Sequence, residues 1–215
     1  MRKMVKNPWT WLVLFAAIFA LAGSASAQQG FYLGTGVGYG MPQWGGDMND
    51  VDPDSGMGLE LVHLGYNFSP NLGVGLQWGS IAGELEGDMY GYDLDEGIYG
   101  EGYMCFSGRY TLIDSTLPLM PYFEVGFGTY TALGEVEIGP ADADLIVDPA
   151  SGFRLAIGGL YYVNKIYIAP ELSFHTVEFD DVEYETDFGD FDDDDIGSGD
   201  FMLLLVKVGY HFSKE

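Results

Sequence analysis

Apolar and polar residues alternate with a period of two in eight separate blocks of the chain, the signature of β-strands with two unlike faces. In the first block, Phe31, Leu33, Thr35, Val37 and Tyr39 share one face, and Tyr32 with Gly34, Gly36, Gly38 and Gly40 share the other. The second runs from Leu59 to Phe68, with Val62, Leu64, Tyr66 and Phe68 opposing Leu61, His63, Gly65 and Asn67. Ser69-Pro70-Asn71 turns the chain into a third block that sets Leu72, Val74, Leu76 and Trp78 against Gly73, Gly75, Gln77 and Gly79. Blocks follow at 99–112, 122–130, 153–162, 166–175 and 202–212, and Asn164-Lys165 forms a two-residue turn between the sixth and seventh.

The faces differ in a way that orients the strands. Mid-strand on the apolar face the only polar residues are Thr35 and Thr129, whereas Arg109, Glu124, Arg154, Glu171 and Lys207 all fall on the glycine-rich face. A soluble sandwich or lipocalin-like barrel would turn charges to water and apolar groups to its core. Here the charged, glycine-lined face is narrow and must be the enclosed one, so the apolar face meets lipid. Tyr66, Phe68, Trp78, Tyr110, Tyr161, Tyr210 and Phe212 near the strand ends fit aromatic girdles at the membrane interfaces. The expected fold is all-β, an eight-stranded antiparallel transmembrane β-barrel.

The segment before the first block carries Arg2, Lys3 and Lys6, an apolar stretch from Trp9 to Gly23 and the small-residue ending Ala25-Ser26-Ala27. This is the pattern of a cleaved signal peptide over 1–27, preferred over a membrane-anchoring helix because of that ending, with the barrel domain over 28–215. The 215 residues hold 33 Asp+Glu and 8 Lys+Arg, and cleavage before Gln28 would leave five bases and a formal charge near −28. Such a chain repels nucleic acid. A lone Cys105 excludes an internal disulfide and a cysteine-rich zinc site, and it reads as a small buried residue. No cofactor is implied.

Several stretches resemble the small eight-stranded outer-membrane barrels represented by the OmpA transmembrane domain and OmpX. They are the opening Gly30-Phe31-Tyr32-Leu33-Gly34, the strand ends Gly65-Tyr66-Asn67-Phe68, Gly108-Arg109-Tyr110-Thr111-Leu112 and Gly209-Tyr210-His211-Phe212, Pro121-Tyr122, and Ala169-Pro170-Glu171-Leu172. The likeness covers essentially the whole mature chain and specifies a fold, not an activity. It implies the outer membrane of a Gram-negative bacterium, outer-membrane lipids and lipopolysaccharide as surroundings, the barrel-assembly machinery as a partner during insertion, and a monomer. Val206, Val208, Tyr210 and Phe212 resemble the family's assembly signal, although Ser213-Lys214-Glu215 follow where the family usually ends on Phe. No peptidoglycan-binding domain follows the barrel, so a tether to the cell wall is not implied.

With both termini periplasmic, the turns near Ser69, Asp114–Leu119 and Asn164 lie in the periplasm and four long connections, about 41–57, 83–98, 131–150 and 177–200, are extracellular. These hold 27 of the 33 acids, twelve of them in the last. Asp192, Asp193, Asp194 and Asp195 are candidate oxygen ligands for a divalent cation, without the spacing of a calcium loop. A solvated, self-repelling surface accounts for the same residues. A lipid-modifying enzyme would use a histidine with a serine near the outer rim; His175 is followed by Thr176-Val177 rather than that serine, and Ser173 precedes it on the inward face, so a satisfied interior histidine is the expectation.

Function therefore reads as non-enzymatic, structural or surface-interacting, with a narrow channel or carrier for small solutes as the alternative. Inside the barrel, counting from the periplasmic turns pairs Arg109 with Glu124 and Glu171 with Lys207. Arg154 lies higher and is expected to find Glu101 or His175.

Overall fold

A computed structural model describes residues 29–45, 51–89, 92–113, 118–138, 141–186 and 189–213. The expected signal peptide lies outside them. Nine strands are described: β1 (Gly30–Trp44), β2 (Val51–Pro53), β3 (Gly56–Asn67), β4 (Leu72–Met89), β5 (Tyr92–Thr111), β6 (Met120–Ile138), β7 (Ala141–Val163), β8 (Ile166–Thr186) and β9 (Gly189–Ser213). Eight of them close a ring in the order β1-β3-β4-β5-β6-β7-β8-β9, every neighbour antiparallel. The seam is the β1–β9 ladder, continuous from Gly30↔Ser213 to Trp44↔Gly199. Closure leaves no unpaired edge to meet the hydrocarbon. The short β2 continues the β3 side of β4, at Val51↔Gly87 to Pro53↔Leu85.

Hairpin turns at one end are tight. Ser69 caps its own turn by accepting from the Leu72 N–H at 3.0 Å through its hydroxyl, and Asn164 adopts φ 59°, a left-handed conformation that asparagine tolerates. Of the turn expected over Asp114–Leu119, residues 114–117 lie outside the described residues. The other end departs from expectation. Stretches read as long connections are mostly strand: β4 runs to Met89, β5 starts at Tyr92, β6 runs to Ile138, β7 starts at Ala141, and β8 pairs with β9 as far as Thr186↔Gly189. Strands of 18 to 25 residues on β4 to β9 exceed the roughly 9–11 needed to cross a bilayer, so tall hairpins stand above it. Above the bilayer the outward face meets water instead of lipid, which weakens the alternation that marks a strand in sequence, while the inward face still buries Leu85, Tyr99 and Val147.

The outer surface is a band of exposed apolar side chains, among them Phe31, Leu76, Phe106, Phe127, Phe153, Ile157 and Val208. Phe31 packs on Tyr66 at 4.7 Å and Tyr210 on Phe212 at 4.8 Å near the tight-turn end, and Phe127 packs on Phe153 at 5.3 Å further up. From Val163 to Phe153 ten residues at about 3.3 Å, tilted by about 40°, rise about 25 Å, the height of a lipid-facing band. One assignment of facing changes. Leu61 was expected inside, but the β3 registers to β1 and β4 both shift next to it, and it is 50% exposed while Glu60 is fully buried. An extra residue at a β-bulge reverses the alternation on its far side.

Inside, two apolar clusters lie at different heights. The upper one gathers Ile81, Tyr103, Cys105, Tyr130, Val177, Phe201, Leu203 and Leu205; the lower one, near the tight turns, gathers Tyr32, Met120, Tyr122, Leu160, Tyr167 and Ala169. The interior glycines make room for these rings. A Cβ at Gly209 or Gly65 would run into Tyr167 or Tyr32.

Candidate functional site

Between the two apolar layers seven side chains from six strands form a nearly closed circuit of polar contacts. Glu60 of β3 accepts from Lys207 Nζ of β9 at 2.7 Å, and the same Nζ lies 2.8 Å from Oε1 of Glu171 on β8. Glu171 accepts from Nη2 of Arg154 on β7, whose Nη1 donates to Glu124 on β6. Glu124 Oε2 accepts from Nε of Arg109 on β5 at 2.8 Å. Arg109 Nη2 is 2.8 Å from His63 Nε2, and His63 Nδ1 lies 3.4 Å from Glu60 Oε1 without a hydrogen bond between them. Three acids alternate with three bases, so the circuit is neutral as a whole. Glu60, Glu124, Arg154 and Lys207 are 0% exposed, and Gln77 of β4 donates to Glu124 at 2.7 Å and to Ser107 at 2.8 Å.

Local sequence explains how so many long side chains fit. On β1, Gly36 faces the circuit, and a Cβ there would lie 3.0 Å from Lys207 Cγ and 3.5 Å from Glu60 Cβ; Gly126 leaves the same space beside Arg154. Arg109 is held between rings, its Cζ 5.0 Å from the centroid of Tyr32 and 4.6 Å from that of Tyr122. Tyr122 donates its hydroxyl to Glu171 Oε2 at 2.6 Å, tying the lower aromatic layer to the circuit. Enclosed ions cost several kcal/mol each unless paired, and here every carboxylate meets at least one cation.

The structure brings together Arg109 with Glu124, directly opposed in the β5–β6 ladder, and Glu171 with Lys207, offset by two residues in the β8–β9 ladder. Arg154 departs from expectation, because its partners are Glu124 and Glu171 rather than Glu101 or His175. Glu101 stands opposite Ala132 and Arg154 opposite Gly126, six residues lower on β6, about 20 Å along the strand. His175 is Arg154's ladder neighbour, yet its ring nitrogens face Tyr130 Oη at 3.1 Å and Ser173 Oγ at 3.0 Å. Glu60 and His63 were missed as members, and Gln77 as a donor to Glu124. Continuing the expected alternation of the second block put Glu60 on the lipid face, and that misfit was the available signal of the bulge.

Above the circuit, His175 stacks on Phe201 at 4.2 Å and lies 4.6 Å from Tyr103. Cys105 Sγ is 3.2 Å from Tyr130 Oη, which also lies within hydrogen-bond reach of Phe153 O. Ser173 and His175 are buried within the barrel, closed off from the surface where a lipid substrate would approach. Among the described residues no group of three or more His, Cys, Asp and Glu is placed to hold a metal ion. The backbone at Asp192–Asp194 pairs with Glu183–Asp181 in the β8–β9 hairpin, and the side chains of Asp192–Asp195 lie outside the described residues. Val206, Val208, Tyr210 and Phe212 point outward along the strand that closes the seam.

A closed antiparallel ring of eight strands with an apolar exterior and an ionic interior defines a transmembrane β-barrel. The family model described as "Outer membrane protein beta-barrel domain" matches residues 10–212, and the chain belongs to that family. Among solved structures it is similar to a major outer membrane protein of Thermus thermophilus, with TM-score 0.59 and 14% identity over 85% of this chain and 99% of that one. Neisserial surface protein A gives 0.54 and 13% over 88% and 99%. OprG of Pseudomonas aeruginosa gives 0.53 and 13% over 87% and 99%. Identities this low establish the shared fold. Among curated proteins none matches the chain.

Proposed function

We propose that the protein is a non-enzymatic, monomeric outer-membrane barrel whose lumen is plugged and whose role is structural or exerted at its surface. The observation that carries this reading is the fully buried series of ion pairs that crosses the lumen from Glu60 to Arg109, with close-packed apolar layers above and below it. An eight-stranded barrel is just wide enough for its own side chains to fill it. Refolded protein in planar bilayers is expected to show no steady conductance; a stable open level would restore the channel reading. Lipid A from cells expressing the protein is expected to keep its acylation pattern by mass spectrometry, and a changed pattern would restore the enzyme reading.

In this reading residues 1–27 direct export, 28–215 form the barrel, and the strand-end motifs place the chain near the OmpA transmembrane domain and OmpX within the family. Recognition by the barrel-assembly machinery runs through Val206, Val208, Tyr210 and Phe212, so Phe212→Ser should lower the yield of membrane-assembled protein. Normal yield would place recognition elsewhere. The acidic hairpins are the face offered to the outside. Residues 41–57, 83–98, 131–150 and 177–200 hold 27 acids and not one Lys or Arg, so their counter-charge comes from other molecules, divalent cations bridging lipopolysaccharide phosphates included.

A further inference from the structure

On the outer wall above the lipid-facing band lies an open groove of about 480 Å³ shared by β5, β6 and β7. Register fixes its layout. Gly100, Leu133 and Ile146 form one cross-strand row, and Ile98, Glu135 and Asp144 form the next one up. Ile98 and Leu133 are each 55% exposed, while their chain neighbours Tyr99 and Ala132 are buried inside the barrel, so the row faces outward. Gly100 leaves the floor open, since a Cβ there would meet nothing nearer than Ile81 O at 4.0 Å.

Membrane lipid does not account for this apolar patch. On β6 and β7 the polar residues Thr129, Thr131 and Ser151 separate it from the Phe127–Phe153 contact, and Leu133 is six residues beyond Phe127. That is roughly 15 Å further out at the strand tilt of such barrels. Apolar side chains that line a hollow outside the membrane offer a surface for the apolar part of a ligand. Its upper edge has a definite charge, because Glu135 and Asp144 stand directly opposite each other and the extracellular stretches of the chain supply no Lys or Arg to neutralise them. Like charges in facing positions repel, and a cation between them removes that cost.

We infer that this groove binds a small amphiphilic cation, its apolar body over Gly100 between Ile98, Leu133 and Ile146 and its ammonium group at Glu135 and Asp144. The volume falls in the range of small-molecule sites. The inference rests on the reading of the acidic outer face as the working surface, but the groove lies outside the wall and does not depend on a closed lumen.

The test is a methyl NMR titration of the full-length folded barrel in phosphatidylcholine nanodiscs, with labelled isoleucine δ1 methyls and hexyltrimethylammonium as the probe. Ile98 and Ile146 should shift saturably while the lipid-facing Ile157 does not, and hexanol and tetramethylammonium should each bind at least tenfold more weakly. Glu135→Gln with Asp144→Asn should raise Kd at least tenfold. Gly100→Leu, which the wall accommodates, should abolish the shifts while the protein keeps its heat-modifiable gel mobility. Shifts that never saturate, that appear equally at Ile157, or that survive both sets of substitutions would overturn the inference. A barrel that conducts yet shows the Ile98 and Ile146 shifts would refute the plugged lumen and leave the groove standing; a silent groove in a non-conducting barrel would do the reverse.

Discussion

The ionic circuit and the apolar layer directly above it fill the same lumen at neighbouring heights by opposite means. In the upper layer Ile81, Leu203, Leu205, Phe201 and Tyr103 exclude water by packing, and each contributes in proportion to the surface it covers. In the circuit, shape is secondary. Glu124 is correct because it stands between Arg109, Arg154 and the Gln77 amide, and no uncharged side chain of equal size could compensate both guanidinium groups. The upper layer should therefore respond to volume and the circuit to charge, although both are fully enclosed.

The largest effect is expected from Glu124→Gln. It keeps the volume but leaves two buried guanidinium groups short of a counter-charge, and should cost about 3–5 kcal/mol in urea unfolding of lipid-refolded protein. A loss under about 1 kcal/mol would mean that water enters the circuit and the two regions do not differ in kind. Leu203→Ala in the upper layer should cost about 2–4 kcal/mol, as buried leucine truncations do, with the loss following the cavity it leaves. Leu203→Met, the volume-conserving counterpart of Glu124→Gln, should cost less than about 1.5 kcal/mol by the same unfolding measurement. The contrast between these two conservative changes carries the comparison; equal losses would break it.

The same division governs what could be read from sequence. The eight spanning strands were legible because lipid on one side and a narrow interior on the other impose strict alternation, as in Phe31 to Gly40. The tall hairpins were not, since acids and apolar residues follow one another there without a period of two, as in Asp142 to Asp148 and Asp190 to Asp195. Within the circuit, Arg109 and Glu124 were legible by counting outward from the turn expected between their two strands, which puts them at equal depth. Arg154 was not, because the direction in which a long side chain crosses the lumen is independent of its ladder partner. Glu60 was hidden by a bulge that no turn residue announces.

The central claim is that the circuit acts as one coupled unit rather than as a collection of buried polar groups. A double-mutant cycle on Arg109→Met and Glu124→Gln, measured by reversible unfolding in lipid, tests it most directly. Coupling predicts that the double substitution costs less than the two single losses together by at least about 1.5 kcal/mol, since removing both partners leaves fewer uncompensated charges than removing either. Losses that add to within about 0.5 kcal/mol would contradict it.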